Sequence, residues 1–155
     1  PVRVFKDDWN IAGCPVNGPA IQAAGQDVAV AWYSMPQDSP TVKVAFSIDS
    51  GATFSKPIRV DEGQPLGRVD LVLLSDDEVL VSWIEQVGDR ALIKAVRVNR
   101  IGTIGHRFVL SESDASRKSG FPVLAKRDKQ LIVAWTEVDS LTRVQSAILD
   151  LNQIH

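Results

Sequence analysis

The sequence predicts an all-β chain built from repeats of a four-stranded antiparallel sheet. Apolar residues alternate with a period of two nearly throughout, and no window of about 11 residues shows a capped helical stripe. Three tryptophans, Trp32, Trp83 and Trp135, end similar strand patterns (V-A-V-A-W, V-L-V-S-W and L-I-V-A-W) and lie 51 and 52 residues apart. Both faces of these strands are apolar or small, which is typical of strands covered on both sides.

Aligning the three tryptophans divides the chain into repeat units with four, four and three predicted strands. A period near 50 residues with covered faces is typical of β-propeller blades, so a single partial propeller domain is predicted. Pro1–Val4 reads like Pro57–Val60, the outer strand of the first unit. The predicted units are residues 1–5 (outer strand of a preceding or partner blade), 19–61 (blade one), 67–111 (blade two) and 120–155 (blade three without its outer strand).

Composition excludes several classes of function. The net charge of −2 and the 23% of charged residues give no electrostatic reason to expect nucleic acid or an anionic membrane as partner. No apolar run is long enough to span a bilayer. The single cysteine, Cys14, allows no intramolecular disulfide or zinc site, and we interpret it as a small buried hydrophobe. His106 and His155 lack metal-ligand spacing, so neither a metal nor another cofactor is predicted.

The turn S-I-D-S-G-A-T-F, at residues 47–54, carries a specific pattern. Asp49 is a short acceptor for backbone N–H groups of the turn, and Gly51 tolerates positive φ. The pattern S-x-D-x-G-x-T-F resembles the Asp box, or bacterial neuraminidase repeat, of sialidase-like propellers. Blade two keeps a degraded version with Asn99 and Gly102, and residues 9–20 resemble a stretch found in bacterial sialidase-like proteins. The matching residues are Ser47, Asp49, Gly51, Thr53 and Phe54.

The resemblance implies a bacterial, sialidase-like propeller that acts on or recognises glycans, with an extracellular or periplasmic location favoured. Six blades are common in that family, so this chain corresponds to half of a ring. The Asp box lies away from the sugar site in the family, which makes Asp49 a turn brace. A family sialidase also needs three arginines, an acid/base Asp and a Tyr–Glu pair. Tyr33 is the only tyrosine and lacks that context, so no catalytic residue is assigned.

Five residues on the predicted loop face are candidates for substrate binding. Asp8 and Trp9 offer a carboxylate and a sugar-stacking ring, or Trp9 is a wedge between blades. Arg68 opens the inner strand of blade two and is either one of the carboxylate-clamping arginines or an ordinary salt-bridging residue. Glu85 and Glu137 each follow a repeat tryptophan by two residues. They are a possible carboxylate pair for glycosidic cleavage, or a product of the repeat alone.

Three functions therefore compete: a sialidase-like glycoside hydrolase, a non-catalytic propeller that binds glycan or protein, and a structural half-propeller. The expected ligand is a sialoside or another glycan. Three blades leave two apolar flanks, which predicts either self-association as a homodimeric ring or the remainder of a longer propeller. The start at Pro1, without an initiator Met or a signal peptide, is interpreted as a processed or cut product.

Overall fold

A computed structural model describes residues 1–11, 16–138 and 140–154, and for Arg117 the backbone alone. The predictions for Cys14 and His155 lie outside the described residues. The described chain contains strands and short 3-10 turns, and every strand pairing is antiparallel. The all-β prediction is therefore confirmed.

The strands form three sheets in which each strand pairs with the next one along the chain. Sheet 1 contains β1 (Ala20–Ala24), β2 (Asp27–Ser34), β3 (Thr41–Ser47) and β4 (Ile58–Arg59). Sheet 2 contains β5 (Gln64–Leu73), β6 (Glu78–Val87), β7 (Arg90–Asn99) and β8 (Phe108–Ser113). Sheet 3 contains β9 (Val123–Arg127), β10 (Gln130–Val138) and β11 (Thr142–Asp150). The 3-10 turns are Pro36–Asp38, Arg117–Ser119 and Leu151–Gln153.

The strand pairings follow the same register in all three sheets, as expected for a structural repeat. On the second strand of each sheet, the tryptophan faces a residue of the third strand: the pairs are Trp32↔Lys43, Trp83↔Lys94 and Trp135↔Gln145. On the other side the inner strands pair in the same phase: the pairs are Ala20↔Ala31, Asp70↔Ser82 and Val123↔Ala134. Residues at equivalent positions in different sheets can therefore be compared directly.

Sheet 2 lies between the other two and is buried on both faces. Because strand residues alternate between faces, Val81 and Trp83 pack with Ala31 and Val44 of sheet 1. The intervening Leu80 packs with residues of β9 and β10 in sheet 3. Trp83 and Leu80 are both fully buried. This two-sided burial explains why β6 has an almost continuous apolar sequence.

The outer face of sheet 3 is apolar and exposed. Val123, Val144 and Ile148 are 56%, 80% and 64% exposed. The outer face of sheet 1 is partly covered by the N-terminal segment, where Val4 and Phe5 lie across from Val30 in a shared cavity. Residues 1–11 form no strand. The predicted pairing of residues 1–5 involves another blade or another copy, so it stays a prediction.

The described part of the chain includes no helix with the length and apolarity needed to cross a membrane.

Candidate functional site

Three parts of the chain meet at one end of the strands: the N-terminal segment, the start of β5 and the β8–β9 loop. Asn17 joins the first two, because its Nδ2 donates to the Leu66 carbonyl (3.1 Å) and its Oδ1 accepts from the Arg68 backbone N–H (3.0 Å). Gly67 lies beneath the amide at φ +86°, and a Cβ there would approach the Asn17 side chain to 2.5 Å. A glycine is therefore required at this irregularity in β5.

The Arg68 side chain holds the β8–β9 loop in place. Its Nη1 donates to the Asp114 carbonyl (3.2 Å) and to Ser119 Oγ (2.6 Å). Its Nη2 donates to the carbonyls of Ala115 (3.2 Å) and Ser116 (2.7 Å). Arg68 is only 7% exposed, and burial lowers its pKa while the charge of Asp114 acts in the opposite direction. The four bonds occupy the four N–H groups of the two terminal nitrogens.

Trp9 and Tyr33 form an aromatic pair beside these connections. Their ring centroids lie 5.7 Å apart at an interplanar angle of 83°, which is the edge-to-face arrangement that aromatic rings favour. The Tyr33 hydroxyl donates to Met35 Sδ at 3.5 Å. Burial raises the pKa of Tyr33, so the phenol stays protonated at neutral pH.

A cleft of about 340 Å³ opens between the aromatic pair and the braced loops. Trp9, Tyr33, Asn17, Leu66 and Arg68 contribute to its lining. A second cavity of about 280 Å³ adjoins it across Trp9, Ile11 and Met35, and adds the carboxylates of Asp8 and Asp38. We call these two cavities together the loop-face cleft.

The cleft brings together three of the five residues predicted to bind substrate: Asp8, Trp9 and Arg68. Trp9 is half-buried and forms part of the wall of both cavities. The Asp8 side chain is 70% exposed and forms a salt bridge with Lys6 at 2.9 Å. Arg68 contributes to the lining, but its guanidinium is directed at the β8–β9 loop.

Glu85 and Glu137 line neither cavity. Glu85 is buried, accepts from Trp83 Nε1 at 2.9 Å and forms an ion pair with Lys94. Glu137 is exposed and accepts from Gln145 Nε2 at 2.8 Å. The contacts of Glu85 lie within sheet 2, on β6 and β7, and the contact of Glu137 lies within sheet 3, between β10 and β11. The two carboxylates therefore belong to the repeat and lie apart from the loop-face cleft.

Sheet 1 also has a carboxylate that contacts the repeat tryptophan and a lysine of the next strand. This carboxylate is Asp7 of the N-terminal segment, and the sequence analysis did not predict its role. Asp7 accepts from Trp32 Nε1 at 2.6 Å and from Ser34 Oγ at 3.1 Å, and it pairs with Lys43. Ser34 occupies the position that corresponds to Glu85. The signal available in the sequence was the repeated Trp–Lys pair, which requires a carboxylate that Ser34 cannot supply. Asn17 and Met35 were also missed, because their contacts depend on loop geometry.

The turn at residues 47–54 is braced by side chains. Asp49 accepts from the Thr53 N–H (2.8 Å), the Thr53 hydroxyl (2.6 Å) and the Ser47 hydroxyl (2.7 Å). These bonds lower the pKa of Asp49 to about 2. Gly51 has φ +82°. In sheet 2, the Thr103 N–H donates to Asn99 Oδ1 at 2.9 Å, which reproduces the first of these bonds without a charge.

A cleft of about 440 Å³ lies at the opposite end of the strands, between sheets 2 and 3. Its lining mixes charges of both signs, including Glu78, Arg97 and Lys126, and the described residues contribute no aromatic ring to it. Within residues 1–11, 16–138 and 140–154, no three His, Cys, Asp or Glu side chains are grouped as a metal site requires. The loop-face cleft therefore offers the better-formed site for an organic ligand.

The fold is similar to that of glycoside hydrolases with propeller domains. A Bombyx mori GH32 β-fructofuranosidase aligns over 87% of this chain with a TM-score of 0.50 and 16% identity. A thermostable family-43 glycoside hydrolase aligns over 84% with a TM-score of 0.54 and 11% identity. The GH43 protein BlXynB from Bacillus licheniformis, as its K247S mutant, aligns over 92% with a TM-score of 0.54 and 15% identity.

These similarities concern the fold alone, and they define its class as an all-β propeller. The chain spans 34%, 49% and 29% of the three proteins, respectively, so it corresponds to only part of each. The similar proteins are five-bladed, whereas the sialidase resemblance implies six blades. No family model matches the sequence. No curated protein is detectably similar in sequence.

Proposed function

We propose that this chain is part of a sialidase-like β-propeller that recognises glycans, and that the loop-face cleft is the binding site. The observation that carries the proposal is the Trp9–Tyr33 pair in a cleft of about 340 Å³. This cleft lies where the N-terminal segment, the start of β5 and the β8–β9 loop meet. An aromatic ring offers a flat apolar face to a sugar ring, and polar groups at its edge can orient the hydroxyls.

Asn17 is suited to orient a sugar in this cleft. Its amide uses one N–H and one lone pair of the oxygen to hold Leu66 and Arg68. A primary amide has a second N–H and a second lone pair, and none of the described residues occupies either of them. Because the Asn17 side chain is fixed by two backbone bonds and by Gly67 beneath it, little conformational entropy is lost on binding.

Recognition fits the cleft better than hydrolysis. Glycosidic cleavage uses two carboxyl groups on either side of the scissile bond, one of them with a raised pKa. The described carboxylates of the cleft are Asp8, which is exposed and paired with Lys6, and the exposed Asp38. The raised pKa of Tyr33 also opposes its use as a nucleophile.

The test combines binding with turnover. A glycan array followed by calorimetry should detect binding by the wild-type chain and a loss of at least tenfold in Trp9→Ala. Phe54→Ala, which removes a half-buried aromatic ring from the turn at residues 47–54, is the matched control and should retain binding. No turnover of a fluorogenic sialoside is expected from the wild-type chain or from Arg68→Ala. Absence of binding to every glycan would overturn the proposal, and turnover abolished by Arg68→Ala would favour the hydrolase.

We also propose that the exposed outer face of sheet 3 is covered by a second copy of this chain. The equivalent face of sheet 2, at Leu80, is covered by sheet 3, so the repeat provides a geometry for such packing. β11 pairs only with β10 among the described strands, which leaves an edge for a further strand such as residues 1–5.

Light scattering coupled to size exclusion measures this association. A dimer mass for the wild-type chain and a monomer mass for Val144→Lys are expected, because a charge would enter the apolar contact. Gln26→Lys, at an exposed polar position in the β1–β2 turn of sheet 1, is the control for added charge away from sheet 3. A monomeric wild-type chain contradicts the second copy and leaves further blades of a longer polypeptide as the cover.

A further inference from the structure

We infer that the glycan bound in the loop-face cleft is uncharged at the residue that contacts Trp9 and Tyr33, and is not a sialic acid or another acidic sugar. This inference rests on the proposed function and adds the ligand's chemical class. It follows from the state of Arg68, from the sign of the other charges at the cleft, and from the neutral groups that remain available to a ligand.

Arg68 is the only cationic residue among the described residues that line the two cavities. Recognition of a carboxylate by arginine uses parallel N–H groups of the guanidinium. The four N–H groups of Nη1 and Nη2 are already donated to three loop carbonyls and to Ser119. Presenting them to a ligand would take one donor from each carbonyl of residues 114–116. The Asp114 and Ser116 carbonyls would keep the Ser119 hydroxyl, but the Ala115 carbonyl would lose the one donor it has among the described residues, which weakens the hold on the β8–β9 loop.

The remaining charges of the cleft are negative. Asp8 and Asp38 lie along the second cavity, and the Lys6 ammonium offsets the charge of Asp8 alone. A ligand carboxylate in the cleft would therefore meet net negative charge and an arginine whose terminal donors are occupied. Like charges brought together in this way disfavour an acidic sugar, and they do not penalise a neutral one.

The groups that remain match a neutral sugar. Asn17 has one N–H and one acceptor site that the described residues leave unused, and the Tyr33 oxygen can accept a hydrogen bond while it donates to Met35. Ile11 and Leu66 add apolar wall. These neutral donors and acceptors beside aromatic rings can bind hydroxyl groups and the apolar face of a pyranose.

The experiment compares matched ligands by calorimetry: lactose against sialyllactose, and an N-acetylhexosamine-terminated trisaccharide against its sialylated form. We expect the neutral member of each pair to bind at least tenfold more tightly. Its affinity should stay constant as salt rises from about 0.05 to about 0.5 M, because no charge pair is formed. Tighter binding of the sialylated member would overturn this inference and leave the proposed function intact. Absence of binding to all four ligands and to the array would overturn the proposed function, and this inference with it.

Arg68→Gln separates a loop brace from a ligand clamp. As a brace, Arg68 positions the cleft for every ligand. The variant should therefore lower the Tm and weaken lactose and sialyllactose by the same factor. A selective loss of the sialylated ligand with an unchanged Tm would mean that the guanidinium contacts a carboxylate, and this would contradict the inference.

Discussion

Sheets 2 and 3 carry the same repeat in different surroundings. In sheet 2, Trp83 is fully buried and the Glu85 side chain is 3% exposed and paired with Lys94. In sheet 3, Trp135 is half-buried and Glu137 is exposed. Both carboxylates lie on a strand face that packs against the preceding sheet, so the number of neighbouring sheets does not separate them. Glu85 is also covered by the β4–β5 loop, where a Cβ at Gly63 would lie 2.9 Å from its Oε1. The comparison teaches that cover by the adjoining loop decides whether this carboxylate is a core group or a surface group.

The partner of the carboxylate changes accordingly. A buried carboxylate is costly without a counter-charge, and Lys94 supplies one in sheet 2. The equivalent residue in sheet 3 is Gln145, whose neutral amide is sufficient because water solvates Glu137. Sheet 1 retains Lys43 and obtains its carboxylate from Asp7, outside the sheet. The pair of a lysine and a carboxylate is thus maintained where the two groups are buried.

The largest expected difference between the sheets is at the carboxylate. Glu85→Ala should lower the free energy of unfolding by about 3–5 kcal/mol, because Lys94 is left without its buried partner. Glu137→Ala should change it by less than about 0.5 kcal/mol. Urea unfolding of both variants measures the difference. Equal losses would show that exposure does not separate the two sites.

A core substitution at equivalent positions gives the next effect. Leu80→Ala should cost about 2–5 kcal/mol, because the residue is fully buried between sheets 2 and 3. Ile132→Ala, on the half-buried outer face of sheet 3, should cost about 1 kcal/mol or less in the monomer. If the loss in Ile132→Ala grows with protein concentration, a second copy covers this face and the contrast between the sheets disappears on assembly.

Sheets 2 and 3 can also be compared at a glycine near the start of the inner strand of each sheet. Gly67 and Gly120 both have positive φ, so an alanine should cost about 1 kcal/mol in backbone strain at either position. Gly67→Ala also forces the Asn17 side chain away, which should add about 1–3 kcal/mol and weaken glycan binding. A Cβ at Gly120 meets only Thr136 Oγ1, at an ordinary 3.5 Å.

Thermal unfolding and calorimetry compare these two variants, and Asn17→Ala in the Gly67→Ala background provides the third measurement. Removal of the Asn17 amide should recover part of the lost stability but none of the binding. Equal melting temperatures for Gly67→Ala and Gly120→Ala would exclude the predicted contact with Asn17.

The smallest expected effect compares the turns that follow the third strands of sheets 1 and 2. The folded-state pKa of Asp49, about 2, lies below its ordinary value of 3.8. Its charge therefore contributes stability that is fully present above pH 3.8 and is lost as the pH falls towards 2. Asp49→Asn gives sheet 1 the uncharged acceptor that sheet 2 has in Asn99. Wild type should exceed the variant in stability at neutral pH, and the gap should narrow below pH 4. Denaturant unfolding across pH measures it, with Asn99→Asp as the reverse exchange.

The sequence by itself determined the repeat, the strand positions and the antiparallel order. Each depends on local information: a period of two, turn residues and the spacing of Trp32, Trp83 and Trp135. It also predicted that Asp8, Trp9 and Arg68 lie at one face, because repeat symmetry assigned their loops to that face, and the structure places these residues along the same cleft.

Only the tertiary structure decided what those residues contact. Asp7, Asn17 and Met35 acquire their roles from segments that approach one another through folding, and no local pattern encodes that approach. Arg68 reads in the sequence as a possible ligand clamp, yet its donors are occupied by a loop some 50 residues away. Periodicity records which face a side chain occupies, whereas burial and hydrogen bonding depend on which other segment packs against that face.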